Sequence, residues 1–154
     1  MAKEEKHINS LLVPLGHRVL LLPQTAMAEI VRKPDFIGAG DEPDWLIGSL
    51  PWRGITIPLI ELELLCGDIN PANKMTQAIV VHTIKNGQFN FYALVTAEIP
   101  RPVYVGQSAL HWADEADDCL VASASVVFQN EELIIPDLVQ IEGRVAAILP
   151  LLAA

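Results

Sequence analysis

The stretch from Gln77 to Thr96 constrains the fold of this chain more than any other. Two apolar, β-branched runs, Gln77–Ile84 and Gln88–Thr96, flank Lys85-Asn86-Gly87. An Asn-Gly pair supplies the positive φ values a two-residue hairpin turn needs, so this segment predicts paired antiparallel strands. In the second run Phe89, Phe91, Ala93 and Val95 fall on one face, with Asn90, Tyr92, Leu94 and Thr96 on the other.

The rest of the chain follows the same style. Ser10–Val13 and His17–Leu22, separated by Pro14-Leu15-Gly16, read as an opening hairpin. Thr25–Arg32 carries no Gly or Pro and reads as a short helix capped by Thr25, and Pro34–Asp44 as a loop. Trp45–Leu50 and Ile55–Ile60 read as strands around Pro51-Trp52-Arg53-Gly54, with an edge or bulge where Pro58 cannot donate a ladder bond. Glu61–Gly67 closes that segment with a helical turn ended by glycine. Arg101–Val105 reads as a strand, Gln107–Asp118 as helix or loop, and Ala122–Phe128 with Glu132–Ile135 as a last hairpin around Gln129-Asn130-Glu131. Ile57-Pro58-Leu59-Ile60 echoes Ile135-Pro136-Asp137-Leu138, which fits two related β subdomains. The nine glycines and eleven prolines suit many short strands joined by turns. The expected fold class is therefore all-β with short helices.

Charge and composition narrow the functions. Hydrophobic residues make up 51% of the chain, enough for a substantial core. The formal net charge is −9 and the ten Lys and Arg are scattered, which argues against nucleic acid and against an anionic membrane surface. Apolar runs fall short of the roughly 18 residues a spanning helix needs, and no leader pattern with a cleavage site follows the polar Met1–Ser10 segment. Cys66 and Cys119 could form a disulfide, but nothing else suggests secretion, so the expectation is a cytoplasmic protein with both reduced, each a buried apolar thiol.

Catalytic signatures do not emerge. His7, His17, His82 and His111 lack metal-ligand spacing, so no metal is expected. There is no nucleophile elbow and no phosphate-binding glycine loop, and no cofactor is implied. Asp114-Glu115-Ala116-Asp117-Asp118 lacks the Gly and terminal Glu of a calcium loop and reads as a solvated surface. Glu61 and Glu63, two residues apart, read as a wet face. No catalytic residue is assigned.

One segment stands out. Between Lys33 and Lys74 the sole basic residue is Arg53, among seven acids: Asp35, Asp41, Glu42, Asp44, Glu61, Glu63 and Asp68. Arg53 sits between Trp52 and Gly54 at the junction of two apolar strands. A structural arginine stacked on an indole is one reading. An interaction anchor is the other, since Arg and Trp are enriched at interface hot spots.

The sequence Trp45–Leu64, WLIGSLPWRGITIPLIELEL, resembles the CheW-like coupling domains, in which an aromatic-apolar-Gly strand leads to Arg-Gly, β-branched residues, Pro and an acidic-Leu ending. The matching positions are Gly48, Arg53, Gly54, Ile57, Pro58 and Leu62, with Ala28-Glu29-Ile30 upstream. The resemblance implies two packed SH3-like five-stranded barrels formed by residues 8–150, the chain crossing between them. It implies a non-enzymatic adaptor whose partners are the regulatory domain of a CheA-type histidine kinase and the cytoplasmic tip of a chemoreceptor. It places Arg53 at the receptor-facing surface with Glu29 near it. Trp52 and Gly54 adjoin Arg53, and Met27, Ile30 and Val31 are candidates for an apolar contact patch. Pro51-Trp52 stands where the family has Asn-Leu, and Val95-Thr96 where it has Val-Asp, which points to a divergent member serving a pilus (twitching motility) or other non-flagellar pathway. The competing classes are a small β-barrel ligand-binding module or enzyme, marked by a pocket with converging polar groups, and an oligonucleotide-binding barrel, which the charge opposes.

Overall fold

The computed structural model describes residues 6–38, 43–68, 76–84 and 89–152, the last four of these in backbone only. Its strands are β1 (His7–Pro14), β2 (Val19–Pro23), β3 (Met27–Arg32), β4 (Ile37–Gly38), β5 (Leu46–Trp52), β6 (Ile55–Ile60), β7 (Gln77–His82), β8 (Phe91–Thr96), β9 (Arg101–Gly106), β10 (His111–Trp112), β11 (Ala122–Phe128) and β12 (Glu131–Pro136). The helix α1 (Leu62–Leu65) follows β6 and α2 (Leu138–Leu152) follows β12. The turn at Lys85-Asn86-Gly87 lies outside the described residues, but β7 and β8 pair antiparallel on either side of it, from His82 opposite Phe91 to Gln77 opposite Thr96.

The strands divide into two six-stranded sheets, in the orders β10-β11-β12-β2-β1-β9 and β4-β5-β6-β8-β7-β3. These are the two SH3-like barrels; the sixth strand of each, β4 or β10, is only two residues long. Their arrangement repeats. In each, a hairpin (β5-β6 or β11-β12) joins a second hairpin (β8-β7 or β2-β1) through a parallel contact, and an antiparallel edge strand (β3 or β9) completes the set. The outer barrel, built from β1, β2 and β9 to β12, is thus a circular permutation of the inner barrel, built from β3 to β8. The Ile-Pro echo is not the structural repeat, because Pro58 is the fourth residue after its turn and Pro136 the sixth. What does correspond is the helix cap. The Glu61 carboxylate accepts from the Glu63 N–H at the start of α1, and the Asp137 carboxylate from the Gln140 N–H at the start of α2.

Strands β1, β2, β7 and β8 bury both faces. Leu12 and Leu21 point into the outer barrel with Val105, Val126, Phe128 and Leu133. Their neighbours Leu11, Val13, Leu20 and Leu22 point the other way, into a large core shared between the barrels. In the inner barrel Ala78, Val80, Ala93 and Val95 line the interior, while Ile79, Val81, Tyr92 and Leu94 face the shared core. That double burial explains the near-continuous apolar runs. Helix α2 adds Ile141 and Val145 to the shared core, with Leu138 and Ile148 at helical spacing against it. Gly48 lies where a side chain has no room: a Cβ there would come within 2.0 Å of the Ile37 carbonyl oxygen on β4.

Several expectations are corrected. Thr25–Arg32 is not a helix: Gln24–Ala26 forms one 3-10 turn and Met27–Arg32 is edge strand β3, because Ala28, Ile30 and Val31 pack into the cores on its two sides. Pro34–Asp44 contains β4, and Gln107–Asp118 contains β10. Pro58 sits where β6 has β5 on one side and β8 has not yet joined, its parallel pairing beginning at Leu59.

The polar readings around α1 change most. Glu61 and Glu63 are buried, Glu63 completely. The Glu63 carboxylate accepts from the backbone N–H groups of Gly16, His17 and Arg18 in the β1–β2 turn at 2.7–3.1 Å. Arg18 in turn pairs with Asp68 beyond α1 and with Asp117 and Asp118 before β11. Part of the acidic run is therefore a built ion-pair site. Burial works against the Arg18 charge, but the hydrogen bonds to Asp68 and Asp117 outweigh it and raise its pKa. Cys66 and Cys119, expected as separate reduced thiols, are joined by a disulfide of 2.01 Å. Folding brings together residues 53 positions apart, which spacing alone could not reveal.

Candidate protein-binding site at the inner-barrel hairpin tip

Arg53 and Gly54 are the two turn residues of the β5–β6 hairpin, closed by the pair Trp52 and Ile55. Both have positive φ, 48° and 78°, the signature of a type I′ turn. Glycine adopts that geometry freely, whereas a side-chain-bearing residue there is strained. The outer barrel has the same turn at Gln129-Asn130, with φ of 50° and 63°.

Three side chains meet at this tip. Trp52 is 8% exposed and closes the inner-barrel core, its ring 4.8 Å from that of Phe91. The Trp52 indole N–H donates to Glu29 Oε2 at 2.6 Å, and an Arg53 guanidinium N–H donates to Glu29 Oε1 at 3.0 Å. The Arg53 guanidinium also lies 4.8 Å from the Trp52 ring centre, within cation–π range. The arginine side chain nonetheless remains 64% exposed. The hydrogen bonds from Trp52 and then Arg53 hold the Glu29 carboxyl below its ordinary range, against the opposing effect of desolvation. The result is a cation fixed from beneath and open above, suited to gripping a carboxylate.

A bulge on β3 decides which residues join the site. Met27 pairs with Val81 but Glu29 pairs with Val80, leaving Ala28 as the extra residue. Residues two apart on a strand normally share a face, but the bulge turns Met27 into the shared core and Glu29 toward the inner-barrel side. Met27 and Ile30 therefore pack away from Arg53, and Val31 packs into the inner barrel. The structure brings Glu29, Trp52, Arg53 and Gly54 together; it does not bring Met27 with them. The exposed apolar neighbour is Ile55, adjacent to Gly54. In the sequence Ile55 reads only as the first residue of a strand; its pairing opposite Trp52 is what places it at the tip.

Elsewhere, the outer barrel carries an apolar groove of about 320 Å³ between Ile8, Leu21, Leu22, Pro23, Val105 and Ile135. Among the described residues, no helix is long and apolar enough to cross a membrane. Nor does any group of three or more His, Cys, Asp or Glu among them stand close enough to hold a metal ion.

A family model described as a CheW-like domain matches residues 9–145. Among solved structures, the fold is similar to that of the scaffolding protein TtCheW from Thermoanaerobacter tengcongensis, with a TM-score of 0.68. The two chains are 16% identical over 85% of this chain and 89% of that one, a likeness that speaks to the fold. No curated protein matches the sequence.

Proposed function

Because the chain belongs to the CheW-like domain family, we propose that it is a non-catalytic chemosensory adaptor, joining the cytoplasmic tip of a chemoreceptor to the regulatory domain of a CheA-type histidine kinase. On this reading it works in the cytoplasm. The departures at Pro51-Trp52 and Thr96 favour a non-flagellar, pilus-type pathway.

The observation that carries the site assignment is Arg53 itself. A non-glycine residue is kept in the left-handed region at a hairpin tip and its guanidinium is braced by Glu29 and Trp52. Gln129 and Asn130 carry the same strain, so what sets Arg53 apart is a guanidinium held rigid yet 64% exposed. Arg53 is the contact residue, Glu29 and Trp52 position it, and Gly54 makes the turn. Met27 has no part in the contact.

The test is binding of the full chain to a receptor tip and, separately, to a kinase regulatory domain by calorimetry. Arg53→Glu is expected to weaken receptor binding by about 2 kcal/mol or more, the scale of a hot spot, with kinase binding and the circular dichroism spectrum unchanged. Unchanged receptor affinity removes the site assignment. A wild-type chain that binds neither partner removes the adaptor reading.

A further inference from the structure

We propose that Cys66 and Cys119 form a redox-operated clasp between the two barrels, opened by a dithiol reductant and closed by oxidation. The inference rests on the adaptor reading in one respect. A protein working beside a kinase inside the cell meets a thiol-reducing environment, where disulfides that do form are usually transient and sensing rather than permanent.

The position of the bond carries the argument. Cys66 caps α1, which hangs from β6 of the inner barrel, and Cys119 precedes β11 of the outer barrel. The bond therefore crosses the junction. It crosses beside the polar contacts that also cross it: the Leu120 N–H donates to the Cys66 carbonyl at 3.1 Å, and Glu63 holds the Gly16–Arg18 turn. Asp117 links the two systems, since one of its carboxylate oxygens accepts from both the Arg18 Nε–H and the Cys119 N–H. A change at the sulfurs thus reaches the ion-pair site through a single side chain.

Access is by a short displacement. Both cysteines are buried, but Gly67, Asp118 and Leu120, next to them in the chain, are exposed. A reductant thiolate attacks one sulfur to give a mixed disulfide, and its second thiol then displaces the protein thiol. The protein gains two electrons and two protons as Cys66 and Cys119 thiols, and the reductant leaves as a disulfide. Oxidation by a disulfide donor is the reverse exchange. The shared core and the Arg18 site still hold the barrels together when the clasp is open.

The experiment uses the full chain without denaturant. Dithiothreitol followed by iodoacetamide is expected to add two carbamidomethyl groups by mass spectrometry, and oxidised dithiothreitol or glutathione to restore the disulfide, with circular dichroism unchanged throughout. Hydrogen exchange at the Gly16, His17, Arg18 and Leu120 amides is expected to rise about tenfold or more on reduction, with Val80 and Ala93 inside the inner barrel unchanged. A Cys66→Ser, Cys119→Ser double variant is expected to match the reduced protein. Reduction that requires denaturant or unfolds the chain would show a permanent staple and overturn the proposal. Failure of the reduced protein to reoxidise, or equal exchange in both states, would also overturn it. Neither receptor nor kinase enters the assay, so its failure leaves the adaptor reading standing, while loss of partner binding shows separately in the calorimetry.

Discussion

Replacing Arg53 by glycine separates what this residue does for the fold from what it does for a partner. In the left-handed region a non-glycine residue costs roughly 1–2 kcal/mol, which Arg53→Gly relieves at φ 48°. Against that, a glycine loses about 0.5–1 kcal/mol more backbone entropy on folding, and the exposed cation–π contact with Trp52 contributes roughly 0.5–1 kcal/mol. The ion pair to Glu29 is solvent-exposed and adds little. These contributions nearly cancel, so folding stability should stay within about 1 kcal/mol of wild type. For a domain of this length that is a shift of only about 2–4 °C in Tm. Removing a hot-spot arginine, by contrast, costs about 2 kcal/mol of binding, or roughly 30-fold in Kd. Scanning calorimetry on the free protein and titration calorimetry with the receptor tip measure the two quantities side by side. A Tm lower by about 10 °C or more, corresponding to roughly 3 kcal/mol, would mean Arg53 is a structural residue and refute the reasoning. So would a receptor affinity that does not change.

Three further outcomes follow from other sites. The Glu29 carboxyl has a folded pKa below its ordinary 4.5, so its contribution to stability is fully present above that pH and fades as pH falls through the lowered value; the Tm difference between wild type and Glu29→Gln should therefore be constant from pH 7 to 5 and shrink in more acidic buffer, and a difference that grows on acidification would contradict the bracing geometry. Tyr92 is wholly buried with its hydroxyl unpaired among the described residues, and desolvation, with the nearby Glu142 charge, raises its pKa; Tyr92→Phe should hold or raise stability by about 1 kcal/mol in urea unfolding, and a clear loss would reveal a partner for that oxygen. Glu63→Ala leaves three backbone N–H groups and Arg18 without their buried carboxylate, and should cost about 3–5 kcal/mol by the same measurement; a loss under about 1 kcal/mol would show that the junction does not depend on it.

The sequence determined the local elements wherever short-range chemistry is decisive. Apolar runs bounded by turn residues placed most of the strands, and the Glu61-Leu62 start of α1 carried its own cap; α2, with the matching cap at Asp137, was not read from the apolar C-terminal run. The Arg-Gly pair set a turn that only positive φ values satisfy. Pattern reading failed at β3, where a helix-compatible segment is drawn into a sheet by burial on both sides.

Tertiary structure alone decided which distant groups meet. The Ala28 bulge sent Glu29 to Arg53 and Met27 into the core, a one-residue change of register invisible in composition. The circular permutation of the outer barrel brought the 114–120 loop onto α1, so that acids expected in water became ligands of Arg18 and two separate cysteines became one bond. Side-chain pairing across long loops depends on where the barrels settle against each other. The large apolar core between them fixes that, and no short stretch of chain encodes it.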